Sequence, residues 1–554
     1  MNQAAASRLQ LLAWCLLAAF PLLALTVDKA ASVIFALFVI AGLVILVKRD
    51  WPPLHRETRW VLLAFAAYFL ASLASFLLGE QTRLGEKILG RDARFLLALP
   101  LFFALLKTGF AERWLKLAVA AGGMFTGAWA IGEVIIAGDF SHRASGESIS
   151  IVFGHLSAPL FALNLALLLR GNRQERWLAA LGAVFALVAV TFSGTRGALL
   201  SVIAAAASGM LMLAWQGRAH RRLVTGSAVI FMVLAACAIG WLWPRISDGI
   251  DDVRDWQRAS DVAVETRGCV DDEAALRELL RHSRSYRREL SVSVVAVQDA
   301  PAECGGGVAH AIRLFNSGDK RARWRSPYRH AAVGDGGEIL FRGRATLSLQ
   351  GGEAPAKYRE EGFRRVPLPA VTDIALTRFN LHIAPGDEVL LIPLETLPGE
   401  YAFAALESPV GNRLGMWAAA LRNIGWKPTG RGTGSWPEMI REEAEAGRAA
   451  WRLTGYDHAH SDYLNTLLER GWLGFLALLA VLAAPVAFAV RRLSGWPRGA
   501  MILLVISVSV SALTETVFNH SIAITYYCTF AILLMTAARQ DEENNGSSIP
   551  AARN

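Results

Sequence analysis

Stretches of about 17–25 apolar residues recur along this sequence, the length needed to cross the hydrocarbon core of a bilayer. Twelve are read, near 9–27, 30–47, 60–79, 93–107, 114–137, 151–169, 176–193, 197–215, 223–243, 464–490, 499–517 and 521–538. Backbone amides find no partner in lipid, so each must be a helix. The expected fold is an all-α polytopic membrane protein with about twelve spans. Hydrophobic residues make up 54% of the 554, too many for an ordinary soluble chain of this size. The first span follows only Arg8 and is followed at once by another, so a retained helix is expected rather than a cleaved signal.

Charge orients the spans. The short segments after the even-numbered spans are basic: Lys48, Arg49, Arg56 and Arg59; Lys107, Arg113 and Lys116; Arg170, Arg173 and Arg176; Arg218, Arg221 and Arg222; Arg491, Arg492 and Arg498. Positive loops stay in the cytoplasm, which puts both termini inside. The net charge of +9 is largely this signal. It is spread over short loops, so nucleic acid is not an expected partner. The bacterial inner membrane is the expected location, with membrane lipid as surroundings.

Four regions follow. Residues 1–243 carry spans one to nine, 244–463 form a periplasmic block, 464–538 carry spans ten to twelve, and 539–554 read as a disordered cytoplasmic tail. Within the block, 243–256 and 274–285 read as helical. Strand-like runs follow at 290–297, 309–315, 338–341, 345–349, 374–383 and 388–394, separated by turns such as Pro385-Gly-Asp387. A β-rich insert, a sandwich in form, is expected near 260–405, flanked by helical sequence that resumes near 408. Cys269 and Cys304 lie in this oxidising compartment, where a disulfide and two free thiols are both open. Cys15, Cys237 and Cys528 lie in spans as apolar fillers.

Chemistry concentrates at the outer face. His458 and His460 end the hydrophilic block just before a span, and imidazole is suited to accept a proton near neutral pH. On a helix the two could not point the same way, so one base is expected. Phe192-Ser-Gly-Thr-Arg-Gly197 reads as a tight outer turn, placing Arg196 at the membrane surface, a costly position unless it faces protein, water or an anion. Arg83, Lys87, Arg91 and Arg94 crowd the loop after span three, on the side where basic residues are depleted. Guanidinium groups suit phosphate oxygens, although Glu80, Glu86 and Asp92 are nearby partners. Arg413 opens a further amphipathic helix. Glu133, Asn164 and Glu515 are the few polar residues in or near spans, and they form no evident relay. No Walker-type loop or cysteine–histidine zinc pattern occurs. No cofactor or metal is expected.

Taken together, Ser193-Gly-Thr-Arg-Gly197, Arg413-Leu-Gly-Met-Trp417 with the later Gly430-Arg-Gly-Thr-Gly434, and His458-Ala-His-Ser-Asp-Tyr-Leu464 with Glu469-Arg-Gly-Trp-Leu-Gly474 resemble the bacterial O-antigen ligase and polymerase superfamily. The resemblance covers roughly 1–258 and 408–538. It departs at Ser461, where the family usually has Asn, and at the β-rich insert, which has no counterpart in the family pattern. It implies a GT-C-like, metal-independent glycosyltransferase taking a glycan from undecaprenyl pyrophosphate to a sugar hydroxyl of lipid A core or another glycan. It implies Arg196 and Arg413 on the pyrophosphate and His460, less so His458, as the base. The alternatives are an O-antigen or exopolysaccharide polymerase, a protein O-oligosaccharyltransferase and, from another class, a transporter or flippase. A sensor reading lacks a cytoplasmic output domain.

Overall fold

The computed structural model describes residues 3–48, 51, 54–139, 142–146, 148–214, 240, 273, 277, 284–285, 290–298, 309–325, 338–349, 356–367, 379–393, 409–446, 449 and 451–546. The chain divides into two compact units, Met1–Ile246 with Ala420–Trp436 and His458–Asn554, and Ser247–Ala419 with Pro437–Asp457. The expected ninth span, the helical reading of 243–256, and Cys237, Cys269 and Cys304 lie outside the described residues.

The first unit is helical: α1 (Gln3–Leu23), α2 (Ala30–Lys48), α3 (Arg56–Leu78), α4 (Arg83–Thr108), α5 (Glu112–Ala137), α6 (Ser150–Arg170), α7 (Arg173–Ser193) and α8 (Arg196–Ala214). Eight described helices are long and apolar enough to cross a membrane, which makes this a polytopic membrane protein. They include α2, α3 and α5–α8. Large apolar side chains such as Val33, Leu37, Ile40, Val44 and Val47 line the outside of α2, a surface that only lipid or protein can cover. At the other extreme, α6 is buried along most of its length. Its one interior amide, Asn164, donates to Val119 O and Leu160 O, as a buried polar group must.

The basic stretch after α3 is not the loop that its sequence indicates. Thr82 caps α4, accepting from Gly85 N at 3.0 Å, so the helix begins at Arg83 and the connection shrinks to 79–82. Arg83, Lys87, Arg91 and Arg94 therefore fall within about 80° of one helix face. Asp92 points to the opposite side and is buried.

The last helices of the unit are α11 (Asp462–Arg492), α12 (Gly495–Thr514) and α13 (Ser521–Gly546), preceded in the chain by α9 (Pro409–Asn423) and α10 (Trp436–Glu445). Helix α13 runs into the polar stretch read as a tail. Helix α11 is kinked at Gly471, φ 62° and ψ −161°, which separates a short, mostly buried helix from the longer apolar one. The kink accommodates the turn Gly430-Arg-Gly-Thr-Gly434. Arg431 N donates to Leu468 O, Gly432 N to Glu469 O, and Leu473 N to Pro428 O. On its other side the turn meets α3 and α4: Glu80 N donates to Arg431 O, and Thr433 Oγ1 to Ser72 O. A Cβ on Gly434 would lie 2.3 Å from Gly85 N, so no side chain fits there. Beneath the turn, Arg470 bonds Asp92 at 2.8 Å, Ser72 donates to the same carboxylate oxygen at 2.7 Å, and the guanidinium lies over the Tyr68 ring. A buried charge needs this company.

In the second unit, the described strands are β1 (Arg284–Ser285), β2 (Leu290–Val297), β3 (Ala309–Asn316), β4 (Ala322–Arg325), β5 (Glu338–Leu349), β6 (Ala356–Pro367), β7 (Phe379–Ile383) and β8 (Glu388–Pro393). They form one antiparallel sheet, ordered β1-β4-β7-β5-β8-β3-β2, with β6 on β5. This replaces the expected sandwich. The long β5 pairs with β8 through one half and β7 through the other, and a register shift at Phe341/Gly343 bends it. Ile312, Leu314, Trp324, Phe341, Leu381 and Leu391 share a single core, so one curved sheet suffices to bury the apolar residues. Residues 284–285 are strand, not the end of a helix.

Candidate functional site

His458 and His460 sit in an irregular segment, with α11 starting only at Asp462. The helical argument that kept their side chains apart therefore does not apply. His460 has φ 50°, a left-handed conformation that costs a non-glycine residue on the order of 1–3 kcal/mol. That twist turns its ring onto Glu515: Nδ1 lies 3.0 Å from both carboxylate oxygens. The His458 ring packs edge-on against it, centroids 4.3 Å apart, with Nε2 4.0 Å from Glu515 Oε1. The segment is held from below by Asn465, whose Oδ1 accepts from Ala459 N.

Glu515 follows α12 and is 2% exposed. Thr516 N also donates to its Oε1. Burial alone would push this carboxyl up. The His460 hydrogen bond and the positive charge available on His460, His458 and His155 outweigh it and hold the group well below the usual carboxylate range. Its loop is pinned twice. Phe518 N donates to Asp462 Oδ2, and Arg91 Nη1 reaches Asn519 O at 2.9 Å and Oδ1 at 3.0 Å.

Donor atoms of His458, His460 and Glu515 lie within 4.8 Å of one another, a spacing that a metal ion could bridge. The proton pattern argues for another use. His460 N donates to His458 Nδ1, so Nδ1 carries the lone pair and neutral His458 carries its proton on Nε2, the atom turned to Glu515. A metal there would need the opposite tautomer and would break that bond. His460 donates through Nδ1 to the carboxylate, which puts its lone pair on Nε2. Of the two histidines, His460 has the tautomer of a base.

Arg196 opens α8 directly after the turn Ser193-Gly-Thr195, where Gly194 takes φ 63°. The turn is rigid. Arg143 Nε donates to Ser193 O at 2.7 Å and Nη2 to Thr195 Oγ1 at 3.3 Å, while Thr195 Oγ1 donates to Ser150 O. Gly197 places α8 against the Glu515 region: a Cβ there would fall 2.1 Å from Thr514 Oγ1 and 2.9 Å from His155 Cε1. Arg196, half-buried, directly precedes the glycine that meets Thr514, the residue before Glu515.

The remaining expected site residues divide. Arg83 and Lys87 are exposed on α4. Arg94 donates to its own helix at Gly90 O, and Arg91 is committed to Asn519. Their nearby carboxylates are engaged by later parts of the chain, Asp92 by Arg470 and Glu80 by Arg431. Arg413 lies on α9 in the second unit, where its neighbour Asn412 donates to Tyr456 Oη. Sequence reasoning passed over Arg143 and noted Glu515 without its partner. The signal for Glu515 was a carboxylate at the end of a span on the same face as the histidines.

Residues 389–479 match the family model described as O-antigen ligase. Over this segment the chain is similar to that family. That segment includes Arg413, the glycine-rich turn and both histidines, while Arg196, Glu515 and the α4 cluster lie outside it. The spans make the chain a polytopic membrane protein, and this segment is similar to the O-antigen ligase family. A Haemophilus influenzae (strain KW20 / Rd) protein described as uncharacterized is 27% identical over 86 residues, covering 15% of this chain and 22% of that relative.

Proposed function

We propose that this ligase-family enzyme transfers a glycan from undecaprenyl pyrophosphate to a sugar hydroxyl of lipid A core at the periplasmic face of the inner membrane. The observation that carries the reading is the His460–Glu515 pair, with Nδ1 3.0 Å from the carboxylate, beside the Arg196 turn. His460 Nε2 takes the acceptor proton as the oxygen attacks the anomeric carbon. The bond from that carbon to the pyrophosphate oxygen breaks, and undecaprenyl pyrophosphate leaves. Glu515 fixes the tautomer and offsets the imidazolium charge. Arg196, at a helix N-terminus, stabilises the charge developing on the leaving group. The family resemblance adds Arg413 to that role. Exposed Arg83 and Lys87 and half-buried Arg94, on one face of α4, offer further phosphate contacts, whereas Arg91 is proposed as a positioning residue.

The test is purified protein in lipid with the undecaprenyl-pyrophosphate glycan, lipid A core and a chelator. Transfer to core that disappears in His460→Ala and Arg196→Ala variants is expected. Growth of lipid-linked glycan instead of transfer to core would make the enzyme a polymerase. Near-normal transfer by a stably inserted His460→Ala variant would sink the base assignment.

A further inference from the structure

Behind the glycine-rich turn lies a cavity of about 470 Å³, within the about 300–1,000 Å³ range of small-ligand sites. It belongs wholly to the first unit. Its polar lining comes from Glu80, Asn423, Lys427 and Arg431, and its floor from Leu78 and Leu468. The walls are fixed before any ligand arrives. Arg431 bonds Glu80 at 3.0 Å, and its backbone is paired on both sides, to Glu80 and Leu468. Glu80 offsets the Arg431 charge, and Lys427 leaves the lining with one net positive charge beside its hydrogen-bonding groups. With a carboxylate and an amide oxygen alongside its donors, the lining can pair with hydroxyls, which both donate and accept. Trp426, between the lining residues Gly425 and Lys427, is 89% exposed. Its ring stacks on the partly exposed Trp472, centroids 6.0 Å apart and 23° between planes. An aromatic anchor at the membrane interface would account for the two indoles. It would not account for a cavity lined by Glu80, Asn423, Lys427 and Arg431 next to them.

We propose that this cavity and Trp426 form a glycan-binding subsite, with hydroxyls bonded by Asn423, Glu80 and Lys427 and a pyranose face on the indole. Leu468 lies on α11 about 9 Å of helix rise beyond Asp462, so the subsite holds sugar residues away from the reacting bond. The inference takes from the functional reading only that a substrate carries a glycan. That glycan is either the donor chain or the acceptor core, and the two are separable.

The experiment uses the full-length protein in lipid nanodiscs and saturation-transfer NMR. Two probes are compared: the O-glycan freed from its lipid pyrophosphate, and core oligosaccharide freed from lipid A. One probe is expected to bind, and it identifies the source. Trp426→Ala and Asn423→Ala should each weaken that binding about five- to tenfold, while His460→Ala leaves it intact. Binding of neither probe, or wild-type affinity in both variants, overturns the subsite and leaves Trp426 as an interfacial anchor. Transfer is measured separately. Normal transfer by His460→Ala would count against the base assignment, not against the subsite.

Discussion

At the scale of single residues, the proposed site turns on which histidine nitrogen holds a proton. Glu515→Gln keeps the shape but can donate its amide to His460 Nδ1, which favours the wrong tautomer. Loss of transfer by about 10²-fold or more is expected in kcat, with little change in donor KM. His458→Ala removes a neighbour that lies 4.0 Å from the carboxylate and should cost less, about tenfold. Equal losses in the two variants would undo the distinction drawn between the histidines. The depressed Glu515 carboxyl also makes a stability prediction. Folded Glu515 binds its proton less tightly than an unfolded glutamate, whose pKa is about 4.3. Its contribution is therefore present above that pH and is lost as pH falls through the folded value. The Tm gap between wild type and Glu515→Gln in detergent should be widest near neutrality and close in acid. The histidines themselves were legible, because His-Ala-His before a span is rare in so apolar a chain. Their convergence was not, since it depends on a positive φ at His460 and on a carboxylate 55 positions away.

At the scale of elements, two adjacent residues of α4 hold both halves of the site. Arg91 binds the loop that carries Glu515, and Asp92 binds Arg470 on the helix that follows His460. If Arg91 positions that loop, Arg91→Ala should lower kcat by up to about 10²-fold and leave donor KM unchanged. Asn519→Ala should do the same more weakly, since the backbone carbonyl still accepts. The double variant should be no worse than Arg91→Ala, a coupling that a mutant cycle reads directly. A raised donor KM in Arg91→Ala, without a matching effect of Asn519→Ala, would return Arg91 to the pyrophosphate. The glycine-rich turn makes its own prediction. Gly434→Ala meets φ 83° and the Gly85 backbone at once, and should destabilise by about 1–3 kcal/mol, read as a lower Tm. Hydropathy located the helices here but misplaced the start of α4. Charges in its first turns look like a loop when only the apolar run is scored, and the Thr82 cap outweighs that pattern.

At the scale of the helical unit, the connections sort into two ends. One end gathers the turns after α3, α5, α7 and α12, tied together through Arg431–Glu80, Arg143–Ser193, Arg91–Asn519 and His460–Glu515. The other joins Lys116 to Glu112 and Glu175 and Arg492 to Glu57, and there Trp14 donates to Thr108 O. Alternating charge in the sequence had already separated these two sets, because each helix that crosses carries the chain to the opposite end. What charge alone could not supply is that the turns of the first set touch. If basic connections stay in the cytoplasm, the site end faces the periplasm. Single cysteines placed in a cysteine-free background test this. Gln81→Cys and Asp139→Cys, exposed at the site end, should react with a membrane-impermeant maleimide in intact spheroplasts. His55→Cys and Gln174→Cys, exposed at the other end, should react only after the membrane is inverted. The reverse pattern would put His460 and Arg196 in the cytoplasm, on the side opposite the one the ligase reading requires, and that reading would fall with the orientation.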